Sequence, residues 1–390
     1  MKKLLAVLIV LAFVAPAVAT AAEWNMYGSA RLTMMWYDRD AEQAIDGTHE
    51  TLHGQMDGVN DDLDLRMDVQ NNARIGAKVK ASDQVSGRFE YGSTPNLRLL
   101  YGVYNFGSGT LTVGQDYTPA YMGISSQAGN ANGSTSFDDT NLLRHGIPYQ
   151  SRQPQITLRF GGLAVGLVQN EGSVASSTNR FILNTVASPS YTTTDILIPK
   201  IEVAYTFKND MLTIKPFAGY QTFDVESAGI TQTSESISAW LIGVGGKVNL
   251  GPAYVNFTVY YSQNPADYGI GFAPGAGNAE DASTARAAII NGKIEDSTAF
   301  GAALVVGFKV NDMLRLEAGY GYVTSEFEAL GVDVTDNGMT YYIQAPITLT
   351  KGVTIYPEIG VVDDDEAEVG PVSIDQGKTM YYGFKFQIDF

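Results

Sequence analysis

From Leu63 to Lys80 the chain reads LDLRMDVQNNARIGAKVK. Leu63, Leu65, Met67, Val69, Ala73, Ile75, Ala77 and Val79 hold the odd positions, with Asn71 the one break. Asp64, Arg66, Asp68, Gln70, Asn72, Arg74, Gly76, Lys78 and Lys80 hold the even ones. A period of two is a strand with two unlike faces. Eighteen residues is long for a soluble strand, where about five or six is usual.

The pattern recurs to the last residue. Met380, Tyr382, Phe384, Phe386, Ile388 and Phe390 share one face of MYYGFKFQIDF, opposite Gly383, Lys385, Gln387 and Asp389. PKIEVAYTFK (199–208), AYVNFTVYY (253–261) and DSTAFGAALVVGFKV (296–310) alternate in the same way. Strands are expected near 24–37, 63–80, 85–92, 97–106, 110–117, 152–160, 163–170, 199–208, 211–222, 236–248, 252–262, 296–310, 313–323, 338–349, 353–362 and 379–390, about sixteen in all.

Two architectures use such strands. A soluble sandwich turns the apolar face inward; a membrane barrel turns it outward into lipid and the polar face into a lumen. Short turns (207–211, 248–252, 309–313, 350–353) alternate with long polar loops (38–62, 118–150, 171–197, 223–235, 263–295, 324–337, 363–378), as in outer-membrane barrels. Tyrosine and phenylalanine gather near strand ends, as in Tyr104 and Phe106, Tyr260 and Tyr261, Tyr320 and Tyr322, Tyr341 and Tyr342, and Tyr381 and Tyr382, where interfacial girdles belong. The fold expected is therefore all-β: a transmembrane antiparallel β-barrel with short periplasmic turns, long outer loops and an aqueous lumen.

The N-terminus fits this. Lys2 and Lys3 precede the apolar run LLAVLIVLAFVAP, and AVATAAEW offers cleavage after Ala21 or Ala22. Residues 1–22 read as a secretory signal peptide, because Pro16 and small residues end the run too early for a membrane helix. Residues 23–390 then form one barrel domain. Without the leader, Lys and Arg fall from 25 to 23 against 42 acids, so net charge goes from −17 to −19. That balance argues against nucleic acid as a partner. The chain has no cysteine, so disulfide and thiol chemistry are excluded.

At this point the sequence resembles a Gram-negative general porin. The resemblance rests on MYGSARLTMMWYD (26–38), NNARIGAKVKASDQVSGRFEYG (71–92), FGSGTLTVGQDYTP (106–119) and the terminal FKFQIDF (384–390), in that order over nearly the whole chain after the leader. It implies a homotrimer in the outer membrane, in contact with lipid and lipopolysaccharide. It implies passive diffusion of small hydrophilic solutes, with no cofactor, no metal and no chemical step. It also implies that residues 118–150 fold into the lumen as a constriction, and that Phe384, Phe386, Ile388 and Phe390 form the signal read by the barrel assembly machinery. The sequence departs from the family in a very short second outer loop, GSTPN (92–96).

Strand parity places Arg31, Arg66, Arg74, Lys78, Arg88, Arg98 and Arg159 on the lumen side. Arg66, Arg74, Arg88 and Arg98 are read as a basic wall, with Arg31 and Arg159 beside it. Asp138 and Asp139, with Asp116 just before the loop, are read as the acidic side of a cross-pore field. The alternative is that the arginines are only solvated lumen residues, or that they pair with Asp64, Asp68 and Glu90 on their own wall. The channel is then general or anion-preferring; a barrel protease or a surface receptor are the remaining classes. The runs DGVNDDLD (57–64) and DDDEAE (363–368) read as solvated outer faces, with divalent bridging to lipopolysaccharide as the alternative.

HETLH (49–53) matches the zinc-protease pattern H-E-x-x-H. Gly47 and Gly54 bracket it, no apolar stripe flanks it, and the one other histidine is His145. A zinc helix needs several anchored turns. The match is read as a chance occurrence in a loop, or as an adventitious surface zinc site. Neither a G-x-S-x-G elbow nor a P-loop occurs, so the chain is read as a non-enzyme.

Overall fold

The computed structural model describes residues 22–39, 63–93, 96–129, 141–143, 145–171, 182–183, 190–228, 234–270, 285–363, 366–375 and 377–390. Residues 1–21 of the leader, HETLH, Asp138 and Asp139 lie outside them.

Sixteen antiparallel strands close into one barrel. They are β1 (Glu23–Arg39), β2 (Asp64–Val69 and Arg74–Lys80), β3 (Val85–Gly92), β4 (Leu97–Asn105), β5 (Thr110–Tyr117), β6 (Arg152–Phe160), β7 (Leu163–Val168) and β8 (Ser190–Asp195, Lys200–Tyr205 and Phe207–Lys208). The second half comprises β9 (Leu212–Ala228), β10 (Ser234–Leu250), β11 (Ala253–Gln263), β12 (Thr298–Lys309), β13 (Arg315–Ala329), β14 (Val332–Gln344 and Ile347–Thr350), β15 (Val353–Asp363) and β16 (Lys378–Asp389). Each strand pairs with the next. The barrel closes where β1 meets β16, in register from Ser29↔Asp389 to Arg39↔Thr379. At that seam the Gly28 N–H donates to the Phe390 carbonyl at 2.7 Å, and the Phe390 N–H donates back at 3.0 Å. Closure leaves no edge to satisfy in lipid.

Alternation assigns the faces as expected. Leu65, Met67, Val69 and Ile75 of β2 are exposed on the outer face, as are Ile201, Val203, Tyr205 and Phe207 of β8. Leu304, Val306 and Phe308 of β12 and Phe384, Phe386 and Ile388 of β16 join them. Such a surface is stable against hydrocarbon, not water.

The run 63–80 is not one uninterrupted strand. Leu32 pairs with Val69 and Ser29 pairs with Arg74, so two residues of β1 face four of β2. The extra pair forms a turn at 70–73, with Gln70 fully buried. Asn71, the break in the alternation, lies in this turn.

Three of the expected long outer loops are mostly strand. β9 continues to Ala228 and β10 starts at Ser234, while β13 and β14 meet across Leu330 and Gly331 with Ala329 opposite Val332. Between β15 and β16 a hairpin forms, Glu366–Val369 with Val372–Asp375, and its first arm pairs with β14. Above the lipid neither face has to be apolar, so alternation fades while backbone pairing goes on.

The expected polar loop 263–295 also differs. Its described ends turn into the barrel. A helical turn, Pro265–Tyr268, is followed by buried Ile270, and Ala288–Ile290 pairs with Lys293–Glu295 in a small separate sheet. Two segments therefore fold inward, where one was expected.

Candidate functional site

Residues 118–129 and 145–150 line the inside of the wall. The path of the first arm follows from its hydrogen bonds. The Ala120 N–H donates to Glu202 Oε2 of β8 at 3.0 Å. Lys215 Nζ of β9 donates to the Tyr121 carbonyl at 2.7 Å, and Asn256 Nδ2 of β11 to the Ile124 carbonyl at 2.9 Å. Ser126 donates through N–H and hydroxyl to Glu317 Oε1 of β13, at 3.2 and 2.6 Å. The Ala128 and Gly129 N–H groups donate to the two oxygens of Glu358 of β15, both at 2.7 Å. Gln70 Nε2, from the turn in β2, donates to the Ala128 carbonyl at 3.3 Å. The arm thus travels from β8 around to β15 and reaches β2, with its backbone held by wall side chains.

Glu202, Glu317 and Glu358 are almost fully buried. Every polar partner found for them is a donor. Glu358 also takes the Tyr381 hydroxyl at 2.9 Å and the Gln344 amide; Glu317 also takes the Tyr342 hydroxyl at 2.7 Å and the Tyr254 hydroxyl. A buried carboxylate is tolerated only when its lone pairs are filled.

These tyrosines were missed as site residues. Tyr261, Tyr341 and Tyr382 face outward as girdle residues, but their neighbours Tyr260, Tyr342 and Tyr381 are buried inside. Adjacent strand residues cannot share a face, so each Tyr-Tyr pair divides between lipid and lumen. That parity was readable; the clamp also needs Glu317 and Glu358, whose partners come from the distant loop.

The returning arm carries Gly146 at φ +88°, where a side chain would run into the Ala302 backbone. His145 is buried, with Nδ1 2.6 Å from Thr340 Oγ1. Both facts limit what position 146 accepts. Gly146→Ala is expected to lower stability by about 2–3 kcal/mol and to open the loop to added protease. Retained protease resistance and an unchanged Tm would contradict this.

The arginine wall occupies β2 to β4. Arg98 Nε and Arg88 Nη2 donate to Glu90 at 2.8 and 2.9 Å, and Arg74 Nη1 approaches it at 3.4 Å. The Tyr27 hydroxyl donates to Glu90 at 2.9 Å and accepts from Arg88 Nε at 2.8 Å. Three of the four wall arginines therefore share one same-wall carboxylate, Glu90. Arg66 stands apart, over the Tyr37 ring at 5.8 Å. Arg31 donates to Ser29 Oγ at 3.0 Å, and its charge is felt at Arg74. Arg159 donates to Thr112 Oγ1 at 3.1 Å. Asp116 is a residue of β5, not of the inserted loop; it sits near the charges of Arg88 and Arg159.

At the foot of the loop Tyr117 and Tyr121 stack at 4.6 Å, and Tyr149 meets Tyr121 at 5.4 Å. Arg152 lies over Tyr117 at 5.7 Å and donates to the Tyr149 hydroxyl at 3.1 Å. Burial pushes the Tyr121 and Tyr149 phenols up, so both stay neutral.

The sequence profile of the Gram-negative porin family matches residues 5–367. The chain belongs to that family. No curated protein matches it. Among solved structures, this porin is similar to the outer membrane channel DcaP of Acinetobacter baumannii at 15% identity and TM-score 0.61, covering 95% of this chain and 97% of that one. It is similar to OmpT of Vibrio cholerae in its trimer form at 14% identity and TM-score 0.55, covering 95% and 100%. It is also similar to the anion-selective porin from Comamonas acidovorans at 13% identity and TM-score 0.51, covering 95% and 100%. At such identities the likeness concerns the fold. Family and barrel together place this porin in the outer membrane as a passive channel.

Proposed function

We propose that this porin passes small hydrophilic solutes with a preference for anions, as a homotrimer, without cofactor or chemical step. The preference is supported by the arrangement at Glu90. Arg74, Arg88 and Arg98 share a single carboxylate, with Arg31 on β1 and Arg152 and Arg159 on β6. On β8, β13 and β15, Glu202, Glu317 and Glu358 are buried and occupied by loop donors. In a narrow lumen with low-dielectric walls, surplus charge of one sign concentrates ions of the other. Residues 118–150 form the constriction in this reading, with Asp138 and Asp139 as its acidic side and Asp116 at its foot.

The wall supports the trimer. Strands β3 to β7 have 6 to 9 residues, against 15 to 17 in β9, β10 and β13. A tilted strand needs about 9–11 residues to span the apolar layer. Among the described residues, Asp64–Val69 pairs only with β1. A second copy against this low side would cover both deficits. Residues 1–22 serve as the export signal, the outward row Phe384, Phe386, Ile388 and Phe390 as the assembly signal, and lipopolysaccharide contacts the outer rim.

The test is conductance in a planar bilayer under a potassium chloride gradient. Steps in groups of three, ohmic and non-saturating, with an anion-selective reversal potential, are expected. Folded protein without conductance would sink the pore; a cation-selective potential would sink the anion preference; single steps with a monomer mass would sink the trimer.

A further inference from the structure

The upper parts of β9, β10 and β13 are built inside out. In β9, Phe217, Phe223 and Val225 face the lumen and are buried, while Tyr220, Thr222, Asp224 and Glu226 take the outer face. In β10, Ile237, Ala239 and Leu241 face inward, while Ser236 donates to Asp224 across the outer face. Val323 and Phe327 of β13 continue the apolar lining. A wall of a water-filled lumen does not carry such a surface bare.

Its cover is the segment between β11 and β12. Tyr268 and Ile270 pack with Ala204, Phe217, Ala239, Leu241, Tyr260 and Val323. Ala287 and Ile289 pack with Phe223, Val225 and Ile237, and Ala288 and Ile290 with Phe327. Polar contacts fix both ends. Asn264 Nδ2 donates to the Ser238 carbonyl of β10 at 2.9 Å, and its Oδ1 accepts the Ser297 N–H at 2.8 Å. Asp267 takes the Ala287 N–H at 2.9 Å and pairs with Arg286 at 3.2 Å.

The cover is tied to the first loop through one buried node. Tyr268 donates its hydroxyl to Glu202 Oε1 at 2.9 Å, and Gln150 Nε2 donates to the same oxygen at 2.7 Å. Lys200 Nζ donates to the Tyr268 carbonyl at 2.9 Å and to Gln150 Oε1 at 2.5 Å. Glu202 Oε2 holds the Ala120 N–H. Lys200, Glu202 and Tyr268 are fully buried.

We propose that residues 264–270 and 285–297 form a second, fixed constriction element that fills the β8–β13 side of the lumen and confines permeating solutes to the arginine-lined side. This rests on the open-pore reading. Lys200 and Glu202 are its positioning residues, since both inserted segments dock on them.

The segment can be removed without changing the β11–β12 register, because Gln263 and Thr298 are register partners and a two-residue Asn-Gly turn joins such a pair. With 264–297 replaced in this way, bilayer conductance is expected to rise roughly twofold, and liposome swelling should admit larger neutral sugars. Unchanged conductance and sugar cut-off would overturn the proposal. A second readout does not depend on that variant folding or on conduction. The chain has no cysteine, so Ala239→Cys and Arg159→Cys each give a unique thiol. In the otherwise unaltered folded protein a small charged methanethiosulfonate should modify Arg159→Cys and leave Ala239→Cys unreacted. Equal rates would overturn the cover. If the unaltered protein conducts nothing while Ala239→Cys stays protected, the open pore fails and the packed segment does not.

Discussion

Replacing Glu317 and Glu358 together by alanine is expected to turn a steady conductance into a flickering one, with closure at lower voltage. These carboxylates hold the first inserted loop through the Ser126 N–H and hydroxyl and the Ala128 and Gly129 N–H groups. A hydrogen bond to a charged group contributes about 1.5–3 kcal/mol. Losing four removes several kcal/mol from the docked state, each 1.4 kcal/mol being about tenfold in its population. Apolar contacts of Ile124 and Ala128 persist, so the arm should detach intermittently rather than leave. Glu358→Gln should fall between wild type and alanine, because its amide nitrogen would face partners that are all donors. Current noise and protease cleavage between 118 and 150 are the measurements. A quiet, protease-resistant double variant would show that apolar packing alone holds the loop.

The second large effect concerns ion preference. Glu90→Gln is expected to move the reversal potential further toward anions, and Arg74→Ala with Arg88→Ala to move it toward cations. The permeability ratio should change by roughly threefold in each direction. Removing Glu90 leaves Arg98, itself nearly buried, without its charge partner. An unpaired buried charge costs about 3–5 kcal/mol; glutamine keeps an acceptor and softens that loss. The variant should therefore melt earlier while conducting anions better. Identical potentials in all three proteins would place the arginine group outside the ion path.

How much of this was legible in the sequence depends on how far apart the interacting residues lie. Period two marked the faces, so β2, β8, β12 and β16 were readable from a few residues each. Parity also put the arginines inside, yet it could not say that Arg74, Arg88 and Arg98 share Glu90 while Arg66 does not. Tyr342 and Tyr381 read as girdle residues by their place near strand ends, although parity sets them opposite Tyr341 and Tyr382. The second inserted segment left a signal that was present and unread. In YQTFDVE (220–226) the alternation inverts past Tyr220, with Phe223 and Val225 on the lumen side and Thr222, Asp224 and Glu226 outside. Apolar residues on the wrong face above the lipid mean that something folds over them. Tall strands were shortened for a related reason, since lipid enforces the pattern and water does not.

The turn at 70–73 bears on how such a wall can change length. Its insertion relative to β1 is two residues, so Arg66 below it in sequence and Arg74 above it point the same way. One added residue would have turned Arg74 and Lys78 toward hydrocarbon and Ile75 toward water. Within a spanning strand, then, growth and loss proceed by even steps, whereas outer loops are free of that arithmetic. Here the even step also supplies Gln70 to the Ala128 carbonyl, so an addition the wall could absorb became the far anchor of the loop that narrows it.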